Sequence, residues 1–331
     1  MRAAVVVVAA VTASGCFSPS FRDCELRCSA AGACPDGFVC SAGMCRAEGM
    51  TGACDVVPPG DGGPADDALP PPDVAPPGAW SAPLLVPGFT GCRAPAVRPD
   101  ELEIFLVCGG DLMTARRADT NAAWGALTLV PGWVDSGTSA STFLTFDART
   151  LYFASNRSGQ SIDIWRMTRA DLDATWMGLT RETQLSADNS EDTGGSTNLD
   201  HTEIIIVSDR HVLGRPQLLS ARRGGLGAAW STPLRIDELE SATFASFHPA
   251  LSADGLTIVF ASTRGGAGLD LYMATRPSPS SSWTTPLPLV GVNEPSAADT
   301  EAWLSPDARV LYFVSTRNEP GNITGLYRST R

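Results

Sequence analysis

Seven candidate carboxylates fall in four long connections, each between a tryptophan-containing segment and the segment that follows it. The connections read PGWVDSGTSAS, SADNSEDTGGS, DELESATFASFH and GVNEPSAADTE, and the candidates among their acidic residues are Asp135, Asp188, Glu191, Asp192, Glu240, Asp299 and Glu301. Carboxylates grouped around one opening could bind a cation or attract a basic partner. Two of them could also act as the acid and base of glycoside hydrolysis. Simple solvated loop charge is the alternative to any specific site.

Other catalytic chemistry has little support in the sequence. The three histidines are His201, His211 and His248, and the chain contains no HExxH motif, nucleophile elbow, Walker loop or dinucleotide-binding fingerprint. We therefore predict no catalytic residue, no metal centre and no cofactor.

The acidic connections lie between copies of a repeat, and this repeat must position them. Turn aspartates mark the five copies at intervals of 47 to 54 residues, and they are Asp100, Asp147, Asp200, Asp254 and Asp307. The clearest copy, residues 249–276, reads PALSADGLTIVFASTRGGAGLDLYMATR. Runs rich in β-branched and aromatic residues, separated by turn residues, are typical of short strands. A repeat of this length with several strands is typical of a β-propeller blade.

A tryptophan-containing segment alternates with these copies and supplies a fourth strand to each blade. The five segments begin at Trp80, Trp124, Trp176, Trp230 and Trp283. Trp80 precedes the first copy, whereas the last copy ends at Arg331 with no such segment after it. The Trp80 segment is therefore predicted to complete the last blade and to close the ring. The fold class that follows is all-β, a five-bladed β-propeller over residues 79–331.

Residues that recur from blade to blade are expected to serve folding, and residues that do not recur are expected to serve function. Arginines follow the second strand and aspartates open the third, which predicts an arginine–carboxylate network within or between blades. These residues are Arg157, Arg210, Arg264, Arg317, Asp111, Asp163 and Asp270. The predicted ligand contacts are instead exposed loop carboxylates at the channel mouth, namely Asp135, Asp192, Glu240, Asp299 and Glu301. The opposite face, with the turns at Asp254 and Asp307, is predicted to be inert.

The N-terminus has the pattern of an export signal. Arg2 precedes an apolar run at residues 3–13 that is too short to span a bilayer, and Ser14-Gly15-Cys16 follows. The run Ala13 to Cys16 resembles the bacterial lipoprotein box, in which the cysteine becomes the lipid-bearing first residue. Nine cysteines are present, so lipidation of Cys16 would leave eight to pair. Residues 1–15 are thus predicted to be a signal peptide and residues 16–23 a lipidated tether; ordinary secretory cleavage is the alternative.

Cysteine usage predicts a disulfide-rich module ahead of the propeller. Six cysteines fall within residues 24–54, and they are Cys24, Cys28, Cys34, Cys40, Cys45 and Cys54. A segment this small needs covalent staples, and their connectivity stays open. Residues 55–78, rich in proline, glycine and aspartate, are predicted to be a linker. Cys92 and Cys108 flank the first turn of the propeller and are predicted to form a disulfide.

The runs LSADGLTIVFASTRGGAGLDLYMATR and LSPDARVLYFVSTR resemble the WD-repeat-like propeller repeat of the TolB type. That resemblance implies an exported bacterial propeller that binds other proteins of the cell envelope. TolB itself has six blades and an additional N-terminal domain, so its specific partner is not carried over to this chain.

These observations lead to a lipid-anchored envelope propeller that binds a protein or a glycan without catalysis. The alternative is a glycan-active hydrolase or lyase that uses the acidic loops. A net charge of −12 gives no electrostatic case for nucleic acid. We expect a monomer that contacts the membrane only through its lipid. Phe17, in the place where enterobacterial sorting uses aspartate, favours the outer membrane.

Overall fold

The computed structural model describes residues 38–41, 44–47, 78–133, 139–159, 161–266, 268–317 and 323–331. The chain separates into two compact units, Met1–Asp73 and Val74–Arg331. In the first unit, β1 (Phe38–Ser41) and β2 (Met44–Ala47) form an antiparallel hairpin whose backbone register pairs Cys40 with Cys45. The predicted lipid site at Cys16 and the disulfide connectivity of residues 24–54 lie outside the described residues.

The second unit contains five four-stranded antiparallel sheets, which are the blades of a propeller. Blade 1 consists of β4 (Cys92–Val97), β5 (Glu103–Cys108), β6 (Asp111–Arg116) and β7 (Thr128–Leu129). Blade 2 consists of β8 (Ser139–Leu144), β9 (Thr150–Ser155), β10 (Asp163–Thr168) and β11 (Met177–Arg181). Blade 3 consists of β12 (Asp192–Thr197), β13 (Glu203–Ser208), β14 (Gln217–Arg222) and β15 (Leu234–Arg235).

The last two blades complete the ring. Blade 4 consists of β16 (Ser246–Leu251), β17 (Thr257–Ser262), β18 (Asp270–Thr275) and β19 (Leu287–Pro288). Blade 5 consists of β20 (Asp299–Leu304), β21 (Val310–Ser315), β22 (Gly325–Thr330) and, from the start of the domain, β3 (Leu84–Leu85). The first strands of the five blades contact one another in a closed circle. The predicted five-bladed fold and its closure by the Trp80 segment are therefore confirmed.

Each first strand lines the central channel and carries an irregularity at its middle. The register with the second strand shifts once in every blade, as between Thr300 and Trp303 of blade 5. The third residue of four first strands is left-handed, and these residues are Ala94, Gly194, His248 and Glu301. A bulge bends the strand and re-aims the side chain at the bulged position. The fold thereby directs selected side chains toward the channel.

One contact recurs in all five blades and explains both the repeated tryptophans and the arginines that directly follow the third strands. Each arginine stacks on the tryptophan of its own blade, at 3.9 to 4.8 Å from the ring centroid; the pairs are Arg117–Trp124, Arg169–Trp176, Arg223–Trp230, Arg276–Trp283 and Arg331–Trp80. Each arginine Nε also donates to the carbonyl of the left-handed residue in the turn between the first two strands. Cation–π contact and hydrogen bond together join three strands of every blade.

Helix is nearly absent from the described part of the chain. A single 3-10 turn, Asp237–Leu239, interrupts the connection from blade 3 to blade 4. No helix among the described residues is long and apolar enough to cross a membrane.

Candidate functional site

The propeller has two faces with different connections. The loop face carries the connections from the fourth strand of one blade to the first strand of the next, together with the turns between second and third strands. The turn face carries the aspartate turns between first and second strands, together with the connections between third and fourth strands. The predicted ligand contacts belong to the loop face.

Two of the five predicted contacts are fully buried, so the exposure that the sequence predicted for them is wrong. Asp192 and Asp299 open the first strands of blades 3 and 5, and each is 0% exposed. Asp192 lies 2.6 Å from an Nη atom of Arg210, and Asp299 lies 2.5 Å from an Nη atom of Arg317. Both carboxylates also accept backbone N–H groups of the preceding connection. They bind the arginine after the second strand and the connection before the first strand, rather than facing solvent.

The same position carries different chemistry in other blades. In blade 1, Cys92 and Cys108 occupy the register positions of Asp192 and Ser208 and form the predicted disulfide, with a Cα–Cα distance of 4.4 Å. The covalent bond therefore stands where blade 3 uses a carboxylate. This substitution accounts for the one pair of cysteines within the propeller sequence.

Blade 4 uses a glutamate from the preceding connection. Ser246 stands at the aspartate position, and Glu240 provides the negative charge that acts on Arg264. The Oε1 atom of Glu240 accepts the N–H of Leu218 at 2.9 Å. Burial raises the pKa of Glu240 to about 7, although the Leu218 N–H and the Arg264 charge act in the opposite direction. Glu240 is therefore a half-buried acid that titrates near neutral pH.

Glu301 is the fourth predicted contact, and it lies inside the channel rather than in a loop. It is 7% exposed, so the predicted exposure is wrong for this residue too. Its Oε2 accepts the N–H of Ala94 at 2.6 Å, and its Oε1 lies 3.7 Å from Nε2 of His248. The Nδ1 atom of His248 is 3.0 Å from the Thr300 hydroxyl. Burial lowers the pKa of His248, whereas the Glu301 carboxylate acts to raise it.

The channel around this cluster is narrow. The cavity at the third and fourth residues of the first strands has a volume of about 20 Å³, which is close to the space of one water molecule. A second cavity of about 20 Å³ lies further along the channel and is lined by apolar side chains such as Phe143, Phe146 and Trp303. A sugar ring or a side chain of a partner does not fit into either volume.

An open acidic pocket lies on the loop face between blades 2 and 3. It has a volume of about 440 Å³, and its charged lining residues are Asp163, Arg181, Asp188 and Glu191. Asp163 is buried and paired with Arg181 at 2.8 Å, whereas the Asp188 side chain is 91% exposed. Glu191 is exposed as well, with Oε2 3.2 Å from the Ile162 N–H. Arg181 also lies 3.5 Å from Asp188, so the pocket holds three carboxylates against one arginine, and Asp188 and Glu191 are the exposed ones.

The turn face contains the other arginine–carboxylate networks. Glu103 of blade 1 binds Arg116 of its own blade and Arg169 of blade 2, at 2.9 and 2.8 Å. Glu203 of blade 3 repeats this arrangement with Arg222, at 3.2 Å, and with Arg276 of blade 4. Arginine–carboxylate networks within and between blades are therefore present, but their pairs are not those that the sequence named: Arg210 and Arg317 bind first-strand aspartates, and Asp163 binds Arg181. The carboxylates on the turn face are glutamates at the start of second strands, which the sequence prediction did not single out.

The repeated turn aspartates do what their position predicts. Asp147, Asp254 and Asp307 each accept the backbone N–H two residues further on, at 2.9 to 3.1 Å. Asp135, the remaining predicted contact, falls outside the described residues. Within the described ranges, no three histidine, cysteine, aspartate or glutamate side chains are placed to hold a metal ion.

Fold and site define the class of this protein as a five-bladed β-propeller in which an arginine stacks on a tryptophan in every blade. No family model matches the sequence, and no curated protein matches it. Similar solved structures do exist. The α-L-arabinofuranosidase PaAbf62A from Podospora anserina is 12% identical with a TM-score of 0.52, over 76% of this chain and 97% of that one.

Two further solved structures are similar. The endo-arabinase from Bacteroides thetaiotaomicron is 12% identical with a TM-score of 0.50, over 76% of this chain and 96% of that one. A TolB from Agrobacterium tumefaciens, itself assigned provisionally, is 16% identical with a TM-score of 0.45, over 70% of this chain and 72% of that one. At these identities the likeness shows the propeller fold alone.

Proposed function

We propose that this protein is an exported, non-catalytic binding module of the cell envelope. In this proposal its loop face engages a basic segment of another envelope protein. The observation that carries the proposal is the acidic pocket between blades 2 and 3, where Asp163, Asp188 and Glu191 face the single cation of Arg181 and where Asp188 and Glu191 are exposed. Concave sites with an excess of one sign of charge attract oppositely charged partners and orient them.

The channel geometry supports binding over glycan hydrolysis. Hydrolysis of this kind uses two carboxylates about 5–9.5 Å apart on either side of the scissile bond. Among the described residues that line the channel, Glu301 is the one carboxylate, and an N–H of Ala94 already occupies its Oε2. The solved glycosidases share this fold, but their activity is not assigned to this chain.

Export is supported by the disulfide between Cys92 and Cys108, because such bonds persist in oxidising compartments. The lipoprotein-box pattern that ends at Cys16 supports attachment by a lipid. Lipid attachment, envelope location and the choice of the outer membrane belong to this proposal.

A capture experiment with the full mature protein tests the binding proposal. We expect the wild type to retain a basic protein from an envelope extract and to release it as salt rises from about 0.05 to 0.5 M, because salt screens exposed charges. The variant Asp188→Asn/Glu191→Gln should lose this capture. Its matched control is Asp237→Asn/Glu238→Gln, which makes the same charge change elsewhere on the loop face.

Equal capture by both double variants would refute the acidic pocket as the binding site. A separate assay addresses catalysis, in which the protein is incubated with arabinan and xylan and new reducing ends are measured. We expect none. Release of reducing ends that disappears in Glu301→Gln would overturn the non-catalytic proposal.

A further inference from the structure

A second open site lies between blades 2 and 3, on the turn face of the propeller. It is a groove of about 560 Å³, and its charged lining residues are Asp147, Arg149, Arg166, Arg169, Glu182 and Arg223. The equivalent groove between blades 1 and 2 is smaller, at about 410 Å³, and contains Glu103. The two grooves occupy repeated positions, so the difference between them comes from individual side chains.

The repeat supplies an internal comparison for one of these arginines. Arg169 and Arg276 stand at the same place in blades 2 and 4, and each binds a glutamate of the preceding blade. Those glutamates, Glu103 and Glu203, are the first residues of β5 and β13. The guanidinium of each arginine therefore has a tryptophan on one face and a carboxylate at its edge.

Arg223 has the tryptophan but not the carboxylate. It lies 3.9 Å from the Trp230 ring centroid and donates Nε to the His201 carbonyl at 2.6 Å. The first residue of the preceding second strand is Thr150 in place of a glutamate. Within the described part of the chain, the Nη atoms of Arg223 have no hydrogen-bond partner and no carboxylate at ion-pair distance.

The neighbouring charges are largely matched within the protein. Arg166 pairs with Glu182, and Arg169 pairs with Glu103 of blade 1. Asp147 accepts the Thr145 hydroxyl and the Arg149 N–H, and its Oδ2 lies 3.7 Å from His201. After these pairs are removed from the charge balance, the groove has two positive side chains, Arg149 and Arg223, and one negative side chain, Asp147. The groove therefore has an excess of positive charge where its counterpart has a buried glutamate.

We infer that this groove binds a ligand with a carboxylate group, which pairs with Arg223 as Glu103 pairs with Arg169. A guanidinium offers two parallel N–H donors to a carboxylate, and a site with this geometry discriminates strongly against uncharged analogues. Thr150 and Thr168 are paired across the two strands and are small enough to leave the space open. The inference does not depend on the proposed function, because it concerns the opposite face.

Two sources of such a carboxylate are distinguished by the choice of probe. Glucuronate represents acidic glycans, and an N-acetylated tripeptide with a free C-terminus represents a peptide end. Glucuronamide and the C-terminally amidated peptide are the uncharged counterparts. Titration of the full mature protein, followed by calorimetry or NMR, should show binding by one charged probe in the millimolar range and no binding by its uncharged counterpart.

The decisive variant is Thr150→Glu, which supplies the missing carboxylate from within the chain. It should weaken binding at least tenfold and raise the unfolding temperature, since blades 1 and 3 already contain this glutamate. Thr257→Glu is the matched control, because it adds the same group at the same position of blade 4 and should leave binding unchanged. Arg223→Gln provides an independent loss of binding should Thr150→Glu fold poorly.

The inference is overturned if neither charged probe binds the wild type at accessible concentrations. It is also overturned if Thr150→Glu folds and binds as the wild type does. Equal weakening by Thr150→Glu and Thr257→Glu would assign the effect to net charge and would likewise reject the groove.

Discussion

The guanidinium of Arg331 lies over the indole ring of Trp80, 4.8 Å from the ring centroid. This contact joins the last residue of the propeller to its first tryptophan. Ser81 strengthens the junction, because its N–H donates to the Thr330 carbonyl at 2.7 Å and its carbonyl accepts the Ser329 hydroxyl at 2.6 Å. The two ends of the domain are therefore joined by the same arginine–tryptophan contact that occurs in each of the other four blades.

Replacement of Trp80 should open the ring. Trp80 is 8% exposed, and truncation of a buried tryptophan costs about 3–5 kcal/mol of unfolding free energy. We expect Trp80→Ala to show this loss in urea unfolding followed by fluorescence or circular dichroism. The control Leu84→Ala, at a side chain 71% exposed in the same segment, should cost well under about 1 kcal/mol. Equal effects of the two changes would contradict closure by the tryptophan.

The buried aspartates of the first strands should matter for folding rather than for binding. Asp299→Asn leaves Arg317 without its charged partner in a buried site, and breaking such a pair costs about 3–5 kcal/mol. Asp188→Asn removes a carboxylate that is 91% exposed and should change the unfolding free energy by less than about 0.5 kcal/mol. Chemical unfolding of the two variants in parallel measures the difference. A stable Asp299→Asn would show that the ion pair contributes little.

The disulfide should stabilise blade 1. It closes a loop with a sequence separation of 16, for which a loss of about 2–4 kcal/mol is expected when both cysteines are replaced. Cys92→Ala/Cys108→Ala, compared with the wild type under oxidising conditions, tests this value. The reduced wild type should unfold close to the variant. Peptide mapping without reduction should recover one cross-linked peptide that contains Cys92 and Cys108, and a link from either residue to residues 24–54 would contradict the structure.

Glu240 should make stability depend on pH. Burial raises its folded pKa from 4.5 to about 7, so the folded state holds the proton more tightly than the unfolded state. The stabilising contribution is present below pH 4.5 and is lost as pH rises through about 7. The wild type should therefore lose up to about 3 kcal/mol between these limits on account of this group.

The variant Glu240→Gln keeps an oxygen for the Leu218 N–H and cannot ionise. Its unfolding free energy, measured in urea at about pH 5 and about pH 8, should change less than that of the wild type. The free energy of unfolding of Glu240→Gln should exceed that of the wild type by the largest amount at the higher pH. An identical pH dependence of both proteins would refute the raised pKa.

Anchoring by a lipid predicts a change of cellular fraction. The proposed lipid acceptor is Cys16, at the end of the Ala-Ser-Gly-Cys run, so Cys16→Ser should move the protein from the membrane fraction to the soluble one. Immunoblotting of the separated fractions detects this, and Cys34→Ser serves as a cysteine control that should stay with the membrane. A mature wild type whose intact mass includes no acyl group would exclude the lipid.

Much of the fold follows from the sequence because a propeller repeats its local signals. Strand-forming runs, aspartate turns and tryptophan segments recur at a regular interval, and each blade pairs strands that are neighbours in the chain. The position of Trp80 before the first copy predicted closure of the ring, and the spacing of Cys92 and Cys108 predicted their disulfide. These features depend on contacts within one blade or on the number of repeats, which a sequence displays directly.

The environment of individual side chains was decided by the tertiary structure. Asp192, Asp299 and Glu301 are acidic residues in polar stretches of sequence, which are usually solvated loops. In the structure they are buried. The structure shows that Arg223 of blade 3 faces Thr150 of blade 2, where the equivalent arginines of blades 2 and 4 face a glutamate. The two positions belong to different blades, so the sequence alone does not pair them. Burial and cross-blade pairing depend on which residues meet through space, and linear spacing does not contain that information.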